Sequence, residues 1–360
     1  MNKNWAWGLF AFVLLLGIGF LYLQRGTIAL ALYQRGMNAA MGAPTMDALG
    51  EGLHAAFCGT GSPLADRHRA GPCFAIVANG RLFVFDAGEG AQETLTTMGL
   101  SPARVEAVFL THFHSDHIDG LGALALQHWA AGAAQAPLPL HGTVGVERIA
   151  NGLNETYSID SGYRIAHHGE QVVPRSGFGL AAIPFDVPPP NESIVVYDVD
   201  GVRVLAFRVD HAPVMEAVGY RIEYQGRSVV VTGDTAQCDC VVRAAQGADL
   251  LVSEALQPTM TRMLGQAAAD HDQPNVAQIA HDIEDYHVTP RQAAEMAQDA
   301  NVQALALTHL IPPMPFPLLN GPFLGDAPEA FEGDIWVMRD GDIISIAPDG
   351  AMSRRNTLRF

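Results

Sequence analysis

Basic side chains are scarce in this chain. Its 360 residues hold 21 Lys and Arg against 38 Asp and Glu, a net charge of −17. Proteins that grip nucleic acid present a basic face to the phosphates. The balance therefore argues against a polyanion as the natural partner, without forbidding a local basic patch. Cysteine is also sparse: Cys58, Cys73, Cys238 and Cys240 are the whole set. Four are too few for a disulfide framework. Cys58 and Cys73 flank one loop and can pair outside the cytoplasm. Cys238 and Cys240 are too close for an unstrained bridge within a strand. No repeat period and no low-complexity tract occurs, which excludes a solenoid array. What remains is a globular composition, 49% hydrophobic and 16% charged.

One stretch lacks charge entirely. Residues 5–23 read WAWGLFAFVLLLGIGFLYL. That length crosses a bilayer as a helix. Trp5, Trp7 and Tyr22 lie near its ends, where amphipathic rings prefer the interface. The alternative is a cleaved signal, whose apolar core is usually shorter and ends at a small-x-small site. The weak site at residues 38–43 comes late for that. The expected organisation is a transmembrane anchor or signal over 1–24, a linker over 25–52 and a catalytic domain over 53–350. Positive charge is similar on both flanks and leaves the orientation open. The short tail favours N-in, which puts the catalytic domain outside the cytoplasm, periplasmic or extracellular, and secreted if the segment is cleaved.

From residue 53 the pattern is strand and turn. Strands are expected at 53–58, 73–78 and 82–85, the last two joined by the hairpin dipeptide Asn79-Gly80. A helix at 91–98, a strand at 105–110 and a helix at 121–129 follow. Next come a strand at 138–141 and a helix at 146–153. Residues 176–191 contain Pro184 and the run Pro188-Pro189-Pro190, and read as a surface connection. Strands resume at 193–199, 202–209, 217–224, 228–232, 250–253, 304–308, 335–338 and 342–346. Pro290 opens a helix at 289–299, where its missing N–H costs nothing. Alternating strands and helices with interspersed hairpins point to layered α/β sheets.

The densest chemistry is Thr111-His112-Phe113-His114-Ser115-Asp116-His117, directly after the apolar run 105–110. Imidazole and carboxylate together suit a borderline divalent metal such as zinc. The end of a buried strand is also where open α/β sheets place their sites. His211, Asp234 and His309 each follow another apolar run. Five His and two Asp can serve two zinc ions, Zn2+, and leave open positions. Two such ions about 3.5–4 Å apart can share a hydroxide at neutral pH, so hydrolysis is the expected reaction. A tethered, non-catalytic metal-binding module is the weaker reading, because a structural zinc is closed by four protein ligands.

These motifs, with Asp86 in Phe85-Asp86-Ala87-Gly88, resemble the metallo-β-lactamase superfamily over roughly residues 53–346. The resemblance implies an α/β, four-layer αββα fold. It implies one zinc on His112, His114 and His211, a second on Asp116, His117 and His309, and Asp234 bridging them. Asp86 would hold the histidine loop. Residues 85–92, Glu254 in Val252-Ser253-Glu254-Ala255, and His287 before Val288-Thr289-Pro290 are similar to the branch of tRNA 3′-processing endonucleases (RNase Z) and arylsulfatase-like enzymes. In that branch the Glu orients the His, which protonates the leaving oxygen. The implied catalytic set is Asp116, His287 and Glu254. The endonucleases carry a long basic arm between the third and fourth metal motifs, whereas only 22 residues separate His211 from Asp234 here. The expectation is thus a hydrolase of a small sulfate or phosphate (di)ester. It stands ahead of a tRNA 3′-endonuclease-like phosphodiesterase and of a β-lactamase or lactonase. A homo-oligomer is left open. Met314, Phe316 and Phe323 either wall an apolar pocket or pack inside.

Overall fold

The computed structural model describes residues 3–41 and 45–358. Contacts divide the chain into two units, Met1–Pro44 and Thr45–Phe360. The first is one helix, α1 (Lys3–Met41). Its segment Trp7–Asn38 has mean hydropathy 1.9 and is long and apolar enough to cross a membrane. The helix continues past residue 24 because Gln24, Arg25, Ala29, Leu30, Ala31 and Leu32 are good helix formers and no proline interrupts them. It takes in most of the stretch expected as linker. Part of the weak cleavage site at 38–43 lies outside the described residues.

The second unit is built on two sheets. The first uses β1 (Leu53–Gly59), β2 (Cys73–Ala78), β3 (Arg81–Phe85), β4 (Val105–Phe109), β5 (Leu138–Thr143) and β6 (Leu180–Phe185). The second uses β7 (Ser193–Val199), β8 (Val202–Arg208), β9 (Val218–Tyr224), β10 (Arg227–Val231), β11 (Leu250–Leu256), β12 (Ala304–Ile311) and β13 (Asp334–Val337). β14 (Asp342–Ile346) and β15 (Met352–Asn356) return to the first, giving the orders β15-β14-β1-β2-β3-β4-β5-β6 and β13-β12-β11-β10-β9-β8-β7. The helices are α2 (Ala91–Thr97), α3 (Ser115–Ile118), α4 (Leu121–Gly132), α5 (Val146–His168), α6 (Asp239–Ala245), α7 (Pro258–Asp270), α8 (Pro274–Asp282), α9 (Pro290–Asp299) and α10 (Asn320–Leu324).

Side-chain alternation explains the layering. Along β3, Leu82 and Val84 face α2 and α4, packing with Leu95, Leu121 and Leu124. Phe83 and Phe85 point the other way, into a core shared with Val204, Tyr220, Ile222 and Leu250 of the second sheet. Val230, Leu251 and Leu305 on that sheet's far face pack on Val241, Ala293 and Ala297 of α6 and α9. A strand buried on both faces must be apolar throughout, and two such sheets with helices outside make the expected four-layer αββα fold. The Asn79-Gly80 turn has φ of 52° and 68°, the left-handed pair that a tight hairpin needs.

Three local expectations are corrected. Residues 176–191 are not all surface connection, because β6 runs through them. Pro184 is tolerated there since β6 is an edge strand. The helix expected to end at 153 continues to His168, along a stretch too polar and exposed to show an apolar period. Cys58 joins Cys73, a pairing the sequence allowed, whereas the objection to the other pair is corrected: Cys238 joins Cys240 with Cα atoms 5.2 Å apart. The second pair lies at the start of α6, not in a strand, so the objection from strand geometry does not apply.

Candidate active site

The histidine loop leaves β4 next to the end of β3, and Asp86 ties the two together. Asp86 adopts φ of 58°. Its carboxylate accepts hydrogen bonds from the Thr111 backbone N–H at 2.8 Å, the Thr111 hydroxyl at 2.7 Å and His117 Nδ1 at 2.8 Å. A carboxylate has no proton to give. The Thr111 hydroxyl therefore donates to it and offers its lone pairs to His112 Nδ1, 3.0 Å away. One buried anion thus favours a ring proton on Nδ1 of both His117 and His112, which turns each Nε2 toward the cluster; His117 Nε2 has no partner there, and His112 Nε2 lies 2.9 Å from His114 Nδ1. The loop crosses the Asp86 turn closely. A Cβ on Gly88 would stand 2.2 Å from the Asp116 carbonyl oxygen, and one on Gly120 would stand 2.1 Å from the Gly88 oxygen.

The second sheet supplies the other half. His211 follows β8, and its Nδ1 lies 3.1 Å from the Tyr286 carbonyl. Asp234 follows β10. His309 does not follow its strand as expected; it lies inside β12 at a bulge. Glu254 pairs with Thr308 and Ala255 with Leu310, so His309 is the extra residue, at φ of 45°. A bulge re-aims one side chain, here toward the histidine loop. The next N–H, on Leu310, is pinned to the Thr60 carbonyl at 3.0 Å.

The donor atoms fall into two groups, His112, His114, His211 and Asp234 in one and Asp116, His117 and His309 in the other, each spanning no more than 4.8 Å. Asp234 lies between them. Its Oδ2 is 3.8 Å from His112 Nε2 and 3.9 Å from His211 Nε2, yet 3.4 Å from His309 Nε2. Its Oδ1 is 3.4 Å from His117 Nε2.

Two observations test whether a cation fits. His117 Nε2, His309 Nδ1 and Asp234 Oδ1 are buried without hydrogen-bond partners, although buried polar atoms are normally paired. The charges also ask for positive counterparts. Burial opposes charge on His309, but Asp234 and Asp116 raise it to about 9. Burial likewise opposes charge on His117, and Asp234 and Asp86 lift it well above its ordinary value. Burial and the neighbouring His117 hold His112 well below its ordinary value, and burial takes His211 down to about 4. Imidazoles kept neutral at His112 and His211, with unpartnered ring nitrogens on His117 and His309 beside carboxylates that draw positive charge, are a fitting set for a divalent metal.

Glu254 and His287 meet beside this cluster. His287 Nδ1 lies 2.8 Å from Glu254 Oε1, and both residues are buried. The same oxygen accepts the Thr235 N–H at 3.0 Å, which links the pair to the residue after Asp234. Burial raises the Glu254 pKa, with His287 pulling the other way. The His287 ring is 5.5 Å from that of His211 and 5.8 Å from that of His309. Its segment is held by α9, where Thr289 and Gln292 form a capping box, and by the Leu256 N–H bonded to the Val288 carbonyl at 2.8 Å.

Every residue expected in the site is thus brought to one place. Thr111, Thr235 and Tyr286 are present as well and were given no role from the sequence; adjacency to motif residues was their only signal. Met314 and Phe323 are buried under the outer helices and Phe316 is exposed, so none walls this site.

Residues 81–310 match the family model described as Beta-lactamase superfamily domain. Ribonuclease Z of Mycobacterium bovis (strain BCG / Pasteur 1173P2) is 35% identical over 267 residues, which cover 72% of this chain and 86% of that protein. Ribonuclease Z of Mycolicibacterium gilvum (strain PYR-GCK) is 36% identical over 256 residues, covering 71% and 82%. Among solved structures, the short form of human tRNase Z superposes with a TM-score of 0.58 at 22% identity, covering 81% of this chain and 99% of that one. The metallo-β-lactamase fold protein YhfI of Bacillus subtilis gives 0.57 at 17%, covering 85% and 100%. These two likenesses concern the fold. The expectation against a nucleic-acid partner is overturned by relatives named as ribonucleases over most of the chain. A whole-chain total and one missing arm weigh little here, because the charge that a phosphate meets is set within about a Debye length of the site.

Proposed function

The chain belongs to the metallo-β-lactamase superfamily, among relatives named Ribonuclease Z, and from that premise we propose that it is a phosphodiesterase acting on RNA. It is a metal-dependent hydrolase by family and by its His and Asp cluster. We assign two zinc ions to that cluster, one on His112, His114 and His211 and one on Asp116, His117 and His309, with Asp234 between. Bound there, zinc supplies Lewis acidity and lowers the pKa of water.

The observation that carries the reading is the buried Glu254–His287 pair, 2.8 Å apart, beside both donor groups. Nδ1 of His287 donates to Glu254, so Nε2 is the nitrogen left to deliver a proton. In hydrolysis a water oxygen bonds to phosphorus, the ester P–O bond breaks, and the departing oxygen takes that proton. Glu254 keeps the ring oriented and balances the imidazolium. Asp116 holds the second donor group in register through His309, 3.3 Å away.

A shorter phosphodiester is the second reading, favoured by one observation. Between His211 and Asp234 the chain forms only the hairpin of β9 and β10, with no arm. Anchoring by α1, with the second unit outside the cytoplasm, is proposed on the helix's length and apolarity and on both cysteine pairs being bridged. The test uses the full chain in detergent with zinc. We expect cleavage of an RNA oligonucleotide or of bis(4-nitrophenyl) phosphate, and a loss of about 100-fold or more in His287→Ala at unchanged zinc content. Inactivity on both phosphodiesters at full metal occupancy would sink the proposal.

A further inference from the structure

The geometry points to Tyr286 as a substrate-contacting residue whose ring stacks on an aromatic ring attached to the scissile phosphodiester. The inference rests on the phosphodiesterase reading and names one feature of its substrate.

Tyr286 stands at the junction of the two halves of the site. Its carbonyl oxygen accepts a hydrogen bond from His211 Nδ1–H at 3.1 Å and so directs His211 Nε2 toward Asp234. Its ring meets the His211 ring edge-on, with centroids 5.0 Å apart and planes at 74°. It is also tilted against His287 at 4.7 Å and 44°. The ring is therefore fixed by one residue of the metal cluster and by the residue that delivers the proton. It is only half-buried, with the rest of its surface open to solvent.

A partly open aromatic ring packed against both His211 and His287 is a platform. Every nucleobase and every aryl group has a flat π-face, and aromatic stacking on such faces is sequence-tolerant. A base on the ribose next to the scissile bond, or an aryl group carried directly on the ester oxygen, can lie on Tyr286 while that ester oxygen meets His287. Side-chain substitutions at Tyr286 keep the carbonyl that holds His211. The platform can thus be tested apart from the cluster.

The experiment compares wild type, Tyr286→Leu and Tyr286→Phe, all full-length and zinc-loaded. The substrates are an oligoribonucleotide, the same oligonucleotide abasic at the cleaved position, and bis(4-nitrophenyl) phosphate; zinc content and thermal midpoint are read in parallel. In Tyr286→Leu, kcat/KM on the base-bearing RNA should fall about 10- to 100-fold, mostly through KM. On the abasic RNA it should change by less than about twofold, and Tyr286→Phe should restore the base-bearing rate. A loss on bis(4-nitrophenyl) phosphate alone would identify an aryl group, not a base, as the stacked ring. An equal loss on base-bearing and abasic RNA with no loss on the aryl ester overturns the inference, as does a Phe variant as poor as Leu. Wild-type inactivity on all three substrates instead overturns the phosphodiesterase reading beneath it.

Discussion

Replacing Asp86 by Asn changes one atom and should disturb two imidazoles. The carboxylate accepts from Thr111 twice and from His117 Nδ1. In Asp86→Asn the amide oxygen can still take the Thr111 N–H. The amide nitrogen then faces both the Thr111 hydroxyl and His117 Nδ1, and it can only donate. His117 must lose that hydrogen bond or move its proton from Nδ1 to Nε2. The move places a proton on a nitrogen that is buried without a partner and aimed at Asp234. Loss of such an outer partner typically costs 10- to 100-fold in metal affinity, about 1.4–2.7 kcal/mol. Metal-free stability should fall by less, about 1 kcal/mol, because the Thr111 N–H keeps its acceptor. Isothermal titration of zinc into the metal-free chain reads the first quantity, and urea unfolding in chelator reads the second. Zinc affinity equal to wild type for both ions would refute the tautomer argument. A stability loss far above the affinity loss would recast Asp86 as a purely structural residue.

Two further outcomes follow from the same packing. Glu254→Gln removes the charge opposite His287 while keeping the volume, and should lower kcat about 100-fold with zinc content unchanged; steady-state kinetics beside metal analysis checks it, and an unchanged kcat refutes it. His141 stacks on Phe109 at 4.6 Å, and burial lowers its pKa from 6.5 to about 4. The unfolded chain takes this proton first as pH falls. The contribution is therefore complete above pH 6.5 and is lost between 6.5 and about 4, up to about 3 kcal/mol. Urea unfolding at pH 7 and pH 4 should show wild type losing that much more than His141→Phe, and equal losses refute it.

Much of the site was legible because its chemistry is local. His112, His114, Asp116 and His117 occupy one short loop, and no packing argument is needed to see that they converge. Asn79-Gly80 marks its hairpin because only certain residues accept positive φ cheaply. The stretch from 154 to 168 was not legible as helix. Most of its residues face water, and solvent imposes no period on a sequence. β6 was hidden by Pro184, whose meaning depends on whether the strand is central or at an edge, a property of the sheet.

The sequence by itself determined the layered α/β class, the metal-ligand residue types and the superfamily, since these follow from the succession of strands and helices and from motifs a few residues long. Only the tertiary structure decided how distant residues act on one another. It set His309 at a bulge in β12, made Asp86 the arbiter of two imidazole tautomers, and put Tyr286 against both His211 and His287. The physical reason is common to all three. Hydrogen-bond direction and ring stacking depend on separations of a few ångströms between residues far apart in the chain, and no spacing along the chain encodes them.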